Sequence, residues 1–243
     1  MKNKLAFTLC EMVIVVGIMG IIAEMTIPTL VQNFQEKTTI VTLQKTYSTL
    51  SQAYTLAVQE NGTPDSWGLT SSTGYDPDIG LKMMNYLKPY LKIIKDCGNS
   101  TLQGCFPNTM YKRNSGGSLT NWSNIENNPV LAKVRLADGS SLASIYLEAN
   151  TNCNTNSGTT PALQTVCGHF WIDVNGQKGP SLMGTDLFNF YLTNYGIIPA
   201  GTNRSLNDCI TEGWTCTAWV IYNSNMDYLH CSDLAWDGKT KCN

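Results

Sequence analysis

An apolar run from Phe7 to Leu30, preceded by Lys2 and Lys4, constrains this chain more than any other feature. Twenty-four residues at 1.5 Å rise make about 36 Å of helix, enough to cross the hydrocarbon core of a bilayer. One carboxylate, Glu11, sits early in the run. Inside a membrane a carboxylate is costly unless it finds a partner, so Glu11 reads as a functional residue. Its expected partner is the same end of another copy of the chain. A secretory signal peptide fits less well, because its apolar region is shorter, lacks carboxylates and closes on a small-residue cleavage site. Only the weak Ile21-Ile22-Ala23 stands where such a site would be. A lipoprotein anchor on Cys10 fails because Leu9 is not small and the apolar run follows the cysteine. A plain single-pass anchor explains the length and leaves Glu11 without a reason.

The residues Ala6-Phe7-Thr8-Leu9-Cys10-Glu11-Met12, followed by Val13-Ile14-Val15-Val16-Gly17-Ile18, resemble the class III signal of type IV prepilins and type II secretion pseudopilins. The resemblance implies cleavage between Ala6 and Phe7 by a membrane prepilin peptidase and N-methylation of the new Phe7 amine. It implies that Glu11, fifth in the mature chain, is the assembly glutamate, and that Pro28 falls where the family commonly breaks its helix. The implied partners are copies of the chain and related pilins, the prepilin peptidase and an inner-membrane assembly platform. Two residues depart from the family pattern. Ala6 replaces the usual Gly before the cut, and Glu24 adds a second carboxylate near the outer end of the span, where it reads as solvated.

Elementary electrostatics agrees with that pattern. Lys2 and Lys4 hold the leader in the cytoplasm by the positive-inside rule. After cleavage, the Phe7 amine of an incoming subunit and the Glu11 carboxylate of its neighbour neutralise each other in low dielectric. Gly17 and Gly20 allow helices to approach closely. The formal charge of −2 becomes −4 without Lys2 and Lys4, leaving 14 basic against 18 acidic side chains. No basic run builds a nucleic-acid footprint. A charged fraction of 14% with abundant Asn, Thr, Ser and Gly reads as an exported, uncharged surface.

Nine cysteines speak to compartment. Cys10 lies in the membrane helix and reads as a small apolar filler. The other eight are Cys97, Cys105, Cys153, Cys167, Cys209, Cys216, Cys231 and Cys242, an even set expected to form disulfides outside the cytoplasm. Eight cysteines allow 105 connectivities. Spacing favours four local bridges, 97–105, 153–167, 209–216 and 231–242, although 216–231 is also short. Zinc is disfavoured, because there is no C-x-x-C and the two histidines are scattered.

Beyond Pro28, Thr29 to Gln59 spaces Val31, Phe34, Val41, Leu43, Leu50, Ala53, Tyr54 and Ala57 as a loose amphipathic helix. Asn61-Gly62-Thr63-Pro64 stops it. A second helix is expected from Leu81 to Ile93, with Pro89 kinking or shortening it. Its candidate core contacts are Met84, Tyr86, Leu87, Leu91 and Ile94. Leu131–Leu136 and Ser141–Leu147 about Ala137-Asp138-Gly139-Ser140 read as a hairpin, and His169–Val174 and Asp186–Leu192 as strands. Thr217–Tyr222 is expected as a fifth strand or part of a disulfide-tied loop. The expected fold class is α+β: a long N-terminal helix, half membrane and half amphipathic, packed on an antiparallel sheet with a disulfide-rich C-terminal region. The pilin resemblance implies the same class. Expected divisions are a leader at 1–6, a transmembrane and assembly helix at 7–30, its amphipathic continuation at 31–61 and a globular head at 62–243.

One turn carries candidate chemistry. Asp173-Val174-Asn175-Gly176 with the later Asp186 presents oxygen ligands around a Gly-rich bend, as calcium loops do. A β-turn in which Asp and Asn cap backbone N–H groups uses the same letters, and that reading is preferred. No other cofactor is expected. No Gly-x-Ser-x-Gly, His-Glu-x-x-His or Walker loop occurs, and His169 and His230 read as strand-end or loop residues, so no enzymatic activity is expected. The expected protein is a structural subunit of a type IV pilus-like filament. It would be single-pass in the inner membrane, with its head exported to the periplasm or exterior, before assembly. The alternatives are a type II secretion pseudopilin and a non-polymerising membrane-anchored binding protein.

Overall fold

The computed structural model of the chain describes residues 8–117, 124–146, 153–202 and 204–242. The leader, Ala6, Phe7, Trp122 and the strand end at Leu147 lie outside the described residues. Two compact units are present, residues 1–38 and 39–243. Helix α1 (Leu9–Asn61) runs through both. It continues unbroken past Pro28, which lacks the N–H that would reach the Glu24 carbonyl. It ends where expected, with Gly62 in the left-handed region at φ 76° and its N–H on the Val58 carbonyl.

The second unit is an α+β arrangement. A six-stranded, wholly antiparallel sheet runs in chain order, β1 (Ile93–Gly98), β2 (Ala132–Leu136), β3 (Ser141–Ile145), β4 (Val166–Asp173), β5 (Leu187–Thr193) and β6 (Gly196–Pro199). Helix α2 (Pro77–Leu87) precedes it; α3 (Leu206–Glu212) and α4 (Cys216–Asn223) follow. Alternation along the strands gives the sheet two buried faces. Phe170, Ile172, Phe188, Phe190 and Leu192 point into one core with Leu43, Leu50 and Tyr54 of α1 and Met83 and Leu87 of α2. Ala143, Ile145, Trp171 and Leu187 point the other way, into a second core with Phe106, Tyr111 and the Cys97–Cys105 bridge. Helices cover one side and disulfide-tied loops the other.

Four disulfides join Cys97 to Cys105, Cys153 to Cys167, Cys209 to Cys216 and Cys231 to Cys242, the pairs that spacing favours. Each closes a short loop of 7 to 14 residues.

Several expected elements differ. The second helix begins at Pro77, because Asp76 caps it by accepting from the Asp78 and Ile79 amides at 3.0 and 3.4 Å. It ends at Leu87, and Pro89 falls in a 3₁₀ turn, Lys88–Tyr90. Met84, Leu87 and Leu91 are buried and Tyr86 half-buried, but Ile94 sits in edge strand β1 and is 62% exposed. Thr217–Tyr222 is helical, within α4. Its β-branched and aromatic residues favour a strand locally, yet Cys216 is bridged to α3 and Cys216–Val220 are all buried. The Thr217 hydroxyl accepts from the Asn189 amide of β5 at 3.0 Å and the Ala218 amide donates to the Ala200 carbonyl at 2.9 Å, fixing the helix on the sheet.

Candidate functional site: the apolar helix and the acidic turn

The first half of α1 is apolar on every side. Leu9, Met12–Val16, Ile18, Met19, Ile21, Ile22, Met25, Ile27, Leu30, Val31 and Phe34 are all exposed in the single chain. A helix that is hydrophobic all round belongs inside a membrane or a larger core. This one is long and apolar enough to cross a membrane. Its hydroxyls are absorbed by its own backbone: Thr26 donates to the Ile22 carbonyl at 2.9 Å and Thr29 to the Thr26 carbonyl at 3.1 Å. An added Cβ at Gly17 or Gly20 would meet nothing within 4 Å, so nothing within the described chain requires glycine there.

Glu11 sits in the first turn. The Thr8 amide donates to its Oε2 at 2.7 Å and the Thr8 hydroxyl to the same oxygen at 2.8 Å. In return the Glu11 amide donates to the Thr8 hydroxyl oxygen at 3.3 Å. Thr-x-x-Glu is thus a capping box that closes the helix start. Cys10 beside it is exposed and unbridged. Glu24 is exposed on the same helix.

The acidic turn is brought together as expected, but as a hydrogen-bonded bend. Asp173, at the end of β4, accepts from the Asn175 and Gly176 amides at 3.0 and 2.8 Å, and its other oxygen takes the Tyr111 hydroxyl. Asp186 accepts from the Leu182 amide at 3.1 Å and from the Asn175 side-chain amide at 3.0 Å. Asn175 therefore turns its nitrogen, not its oxygen, toward Asp186. The donor set is that of a turn, with each carboxylate oxygen already used by an N–H or O–H. These hydrogen bonds are the ones a turn built from Asp173, Asn175 and Asp186 makes. Among the described residues, no group of three His, Cys, Asp or Glu side chains could hold a metal ion. Burial pushes the Asp173 carboxyl up to about 8, with Asp186 adding to the effect and the Tyr111 hydroxyl opposing it. Burial likewise raises Asp186 to about 6 and Tyr111 well above its ordinary value.

His169 lies inside β4 rather than at a strand end. Its ring meets Tyr191 edge-on and its Nδ1 lies 3.3 Å from the Asn189 side-chain nitrogen, Nδ2. Burial pushes the half-buried imidazole down to about 4, with the Asn189 side chain opposing the shift, so it is neutral near pH 7. Two buried charges were not anticipated. Glu126 accepts from the Gly104 and Phe106 amides, the latter at 2.8 Å, and Lys133 donates to the Asn128 carbonyl at 2.7 Å. Burial brings Lys133 down to about 8, with Glu126 partly offsetting it. The alternation of Leu131–Leu136 does place Lys133 opposite Ala132 and Val134, but what lies on that face is a loop, which no local pattern announces.

No curated protein and no solved structure matches the chain. A family model does match, over residues 29–224, which takes in the second half of α1, the sheet and α4 and starts just after Pro28. This chain belongs to that family, described as a family of unknown function, DUF6613.

Proposed function

We propose that this protein is a structural subunit of a type IV pilus-like filament that polymerises through its N-terminal helix after cleavage at Ala6/Phe7. The observation that carries the reading is the run Ala6–Ile18 with Glu11 in place, leading into a helix whose first half exposes its large apolar side chains in the single chain. Glycine costs a helix about 1 kcal/mol relative to Ala. Among the described residues Gly17 and Gly20 recover none of that, and close approach by a neighbouring helix gives them a purpose. Four disulfides in the head fit the oxidising compartment that export implies. In this reading the precursor is single-pass in the inner membrane, and assembly needs the prepilin peptidase, an assembly platform and other pilins. A secretion pseudopilus is built the same way and is the nearest variant.

One observation favours a second reading, a membrane-anchored protein that does not polymerise. The capping box with Thr8 gives Glu11 a local use that needs no partner subunit. Two substitutions separate the readings. Glu11→Gln keeps the capping box, since Gln serves there as well as Glu, but removes the charge. Glu11→Ala removes both. If the carboxylate pairs with a neighbour's amine, both variants insert in the membrane and neither yields filaments by electron microscopy. Filaments from Glu11→Gln at wild-type levels sink the pairing mechanism, and filaments from both sink the assembly role of Glu11.

A further inference from the structure

A groove of about 770 Å³ opens on the loop-covered side of the sheet, a volume typical of ligand sites. Its walls come from two segments, the 97–105 disulfide loop with its continuation to Thr109, and the 177–181 bend between β4 and β5. Both are held from beneath by buried carboxylates. Glu126 holds the Gly104 and Phe106 amides, and Asp173 and Asp186 hold the bend through Asn175, Gly176 and Leu182. Gln177 then ties wall to wall, donating to the Gly104 carbonyl at 2.6 Å.

The lining chemistry is neutral. Among the described residues, Glu126 is the one ionisable lining residue, and it is 1% exposed with both oxygens on backbone amides. What faces outward is a set of oriented amides and hydroxyls. The bond from Gln177 Nε2 to Gly104 fixes the direction of Gln177 Oε1, an acceptor. Asn108 Oδ1 accepts from Asn124 at 3.1 Å, which leaves its Nδ2 as a donor. Thr109 is exposed beside them. Leu102 stands at the rim, 60% exposed and at φ 57°. A bulky side chain in the left-handed region is costly, and strain of this kind concentrates at binding sites.

We infer that this groove binds a neutral oligosaccharide. Each sugar hydroxyl both donates and accepts, which matches an acceptor, a donor and a hydroxyl lining one groove. The C–H faces of the rings pack on Leu102, Pro107 and Pro180. An extended peptide is the poorer occupant because it needs free backbone partners. Here the carbonyls of Gly104, Gly179 and Ser181 are already bonded to Gln177, Asn175 and Lys112, and Pro107 and Pro180 have no N–H. The inference stands apart from the filament reading, because binding is measured on unassembled subunits.

The test applies the full chain, solubilised in detergent, to an immobilised panel of neutral, sialylated and sulfated oligosaccharides, with an unstructured peptide library alongside. The expected result is saturable binding to neutral oligosaccharides, weakened at least tenfold by Asn108→Ala and by Leu102→Asn. Asn tolerates the left-handed conformation, so the second variant keeps the loop. Tyr195→Ser, at an exposed position outside the groove, binds as wild type. Unreduced mass and near-ultraviolet circular dichroism confirm that each variant is folded. Binding to no neutral oligosaccharide, to charged ones alone or to peptides alone overturns the inference, as does wild-type binding by both groove variants.

Discussion

Asp173 and Asp186 share a buried bend in which Asn175 touches both, and neither has a salt-bridge partner among the described residues. Both folded values, about 8 and about 6, lie above the ordinary carboxylate value of 3.8. The neutral acid is therefore the form the fold favours. Its contribution is full below pH 3.8 and is lost as pH rises, by about 6 for Asp186 and about 8 for Asp173. Asp173→Asn keeps an acceptor for the Asn175 and Gly176 amides and cannot ionise. Its melting temperature, compared with wild type, should gain about 4 °C or more between pH 5 and pH 8.5, since 1 kcal/mol is worth about 2–4 °C at this size. A difference that stays constant across that range refutes the raised Asp173 value. The bend itself could be read from Asp-x-Asn-Gly. The pairing with Tyr111 could not, because 62 residues separate Tyr111 from Asp173 and only the folded loop brings them together.

At the scale of elements, α1 contrasts two kinds of apolar residue. Leu50 is 1% exposed, packed against the sheet, while Val41 is 64% exposed on the same helix. Leu50→Ala should cost about 2–5 kcal/mol in urea unfolding of the detergent-solubilised chain. Val41→Ala should stay within about 0.5 kcal/mol. Equal losses mean that the second half of α1 does not dock as described. The start of α2 offers a second check: Asp76→Ala removes the cap and should cost about 1 kcal/mol. Asp-Pro at a helix start is a sequence signal, legible in Asp76-Pro77 once the capping pair is sought. The helical state of α4 is of another kind. Ala-Trp-Val-Ile favours a strand in isolation, and what overrides it is burial between β5, β6 and a bridge to α3.

For the whole molecule, the disulfides and the apolar helix make a joint prediction about the native protein. Intact mass without reduction should fall eight hydrogens below the reduced chain, two for each of four bridges. In the proposed reading the native N-terminus is methylated Phe7. A chain that begins at Met1 removes the main support for assembly and leaves the anchor. Replacing Cys97 and Cys105 together by Ser should cost about 2–4 kcal/mol, because a bridge acts mainly by restricting the unfolded chain. It should also loosen the groove wall at Leu102 to Gly104, read as faster amide exchange in that segment.

The sequence by itself determined what depends on neighbours along the chain. A hydropathy run of bilayer length, the stop at Asn61-Gly62, the hairpin about Asp138-Gly139 and the short-range cysteine pairs all follow from local geometry or from loop closure over a few residues. Only the tertiary structure decided what depends on residues distant in sequence. That the sheet is buried on both faces, that Lys133 and Glu126 lie beneath a loop, that Thr217–Tyr222 is helical and that the 97–109 and 177–181 segments face each other across a groove are long-range outcomes. Their free energy comes from burying surface against whatever the fold brings near, and a local pattern carries no record of that partner.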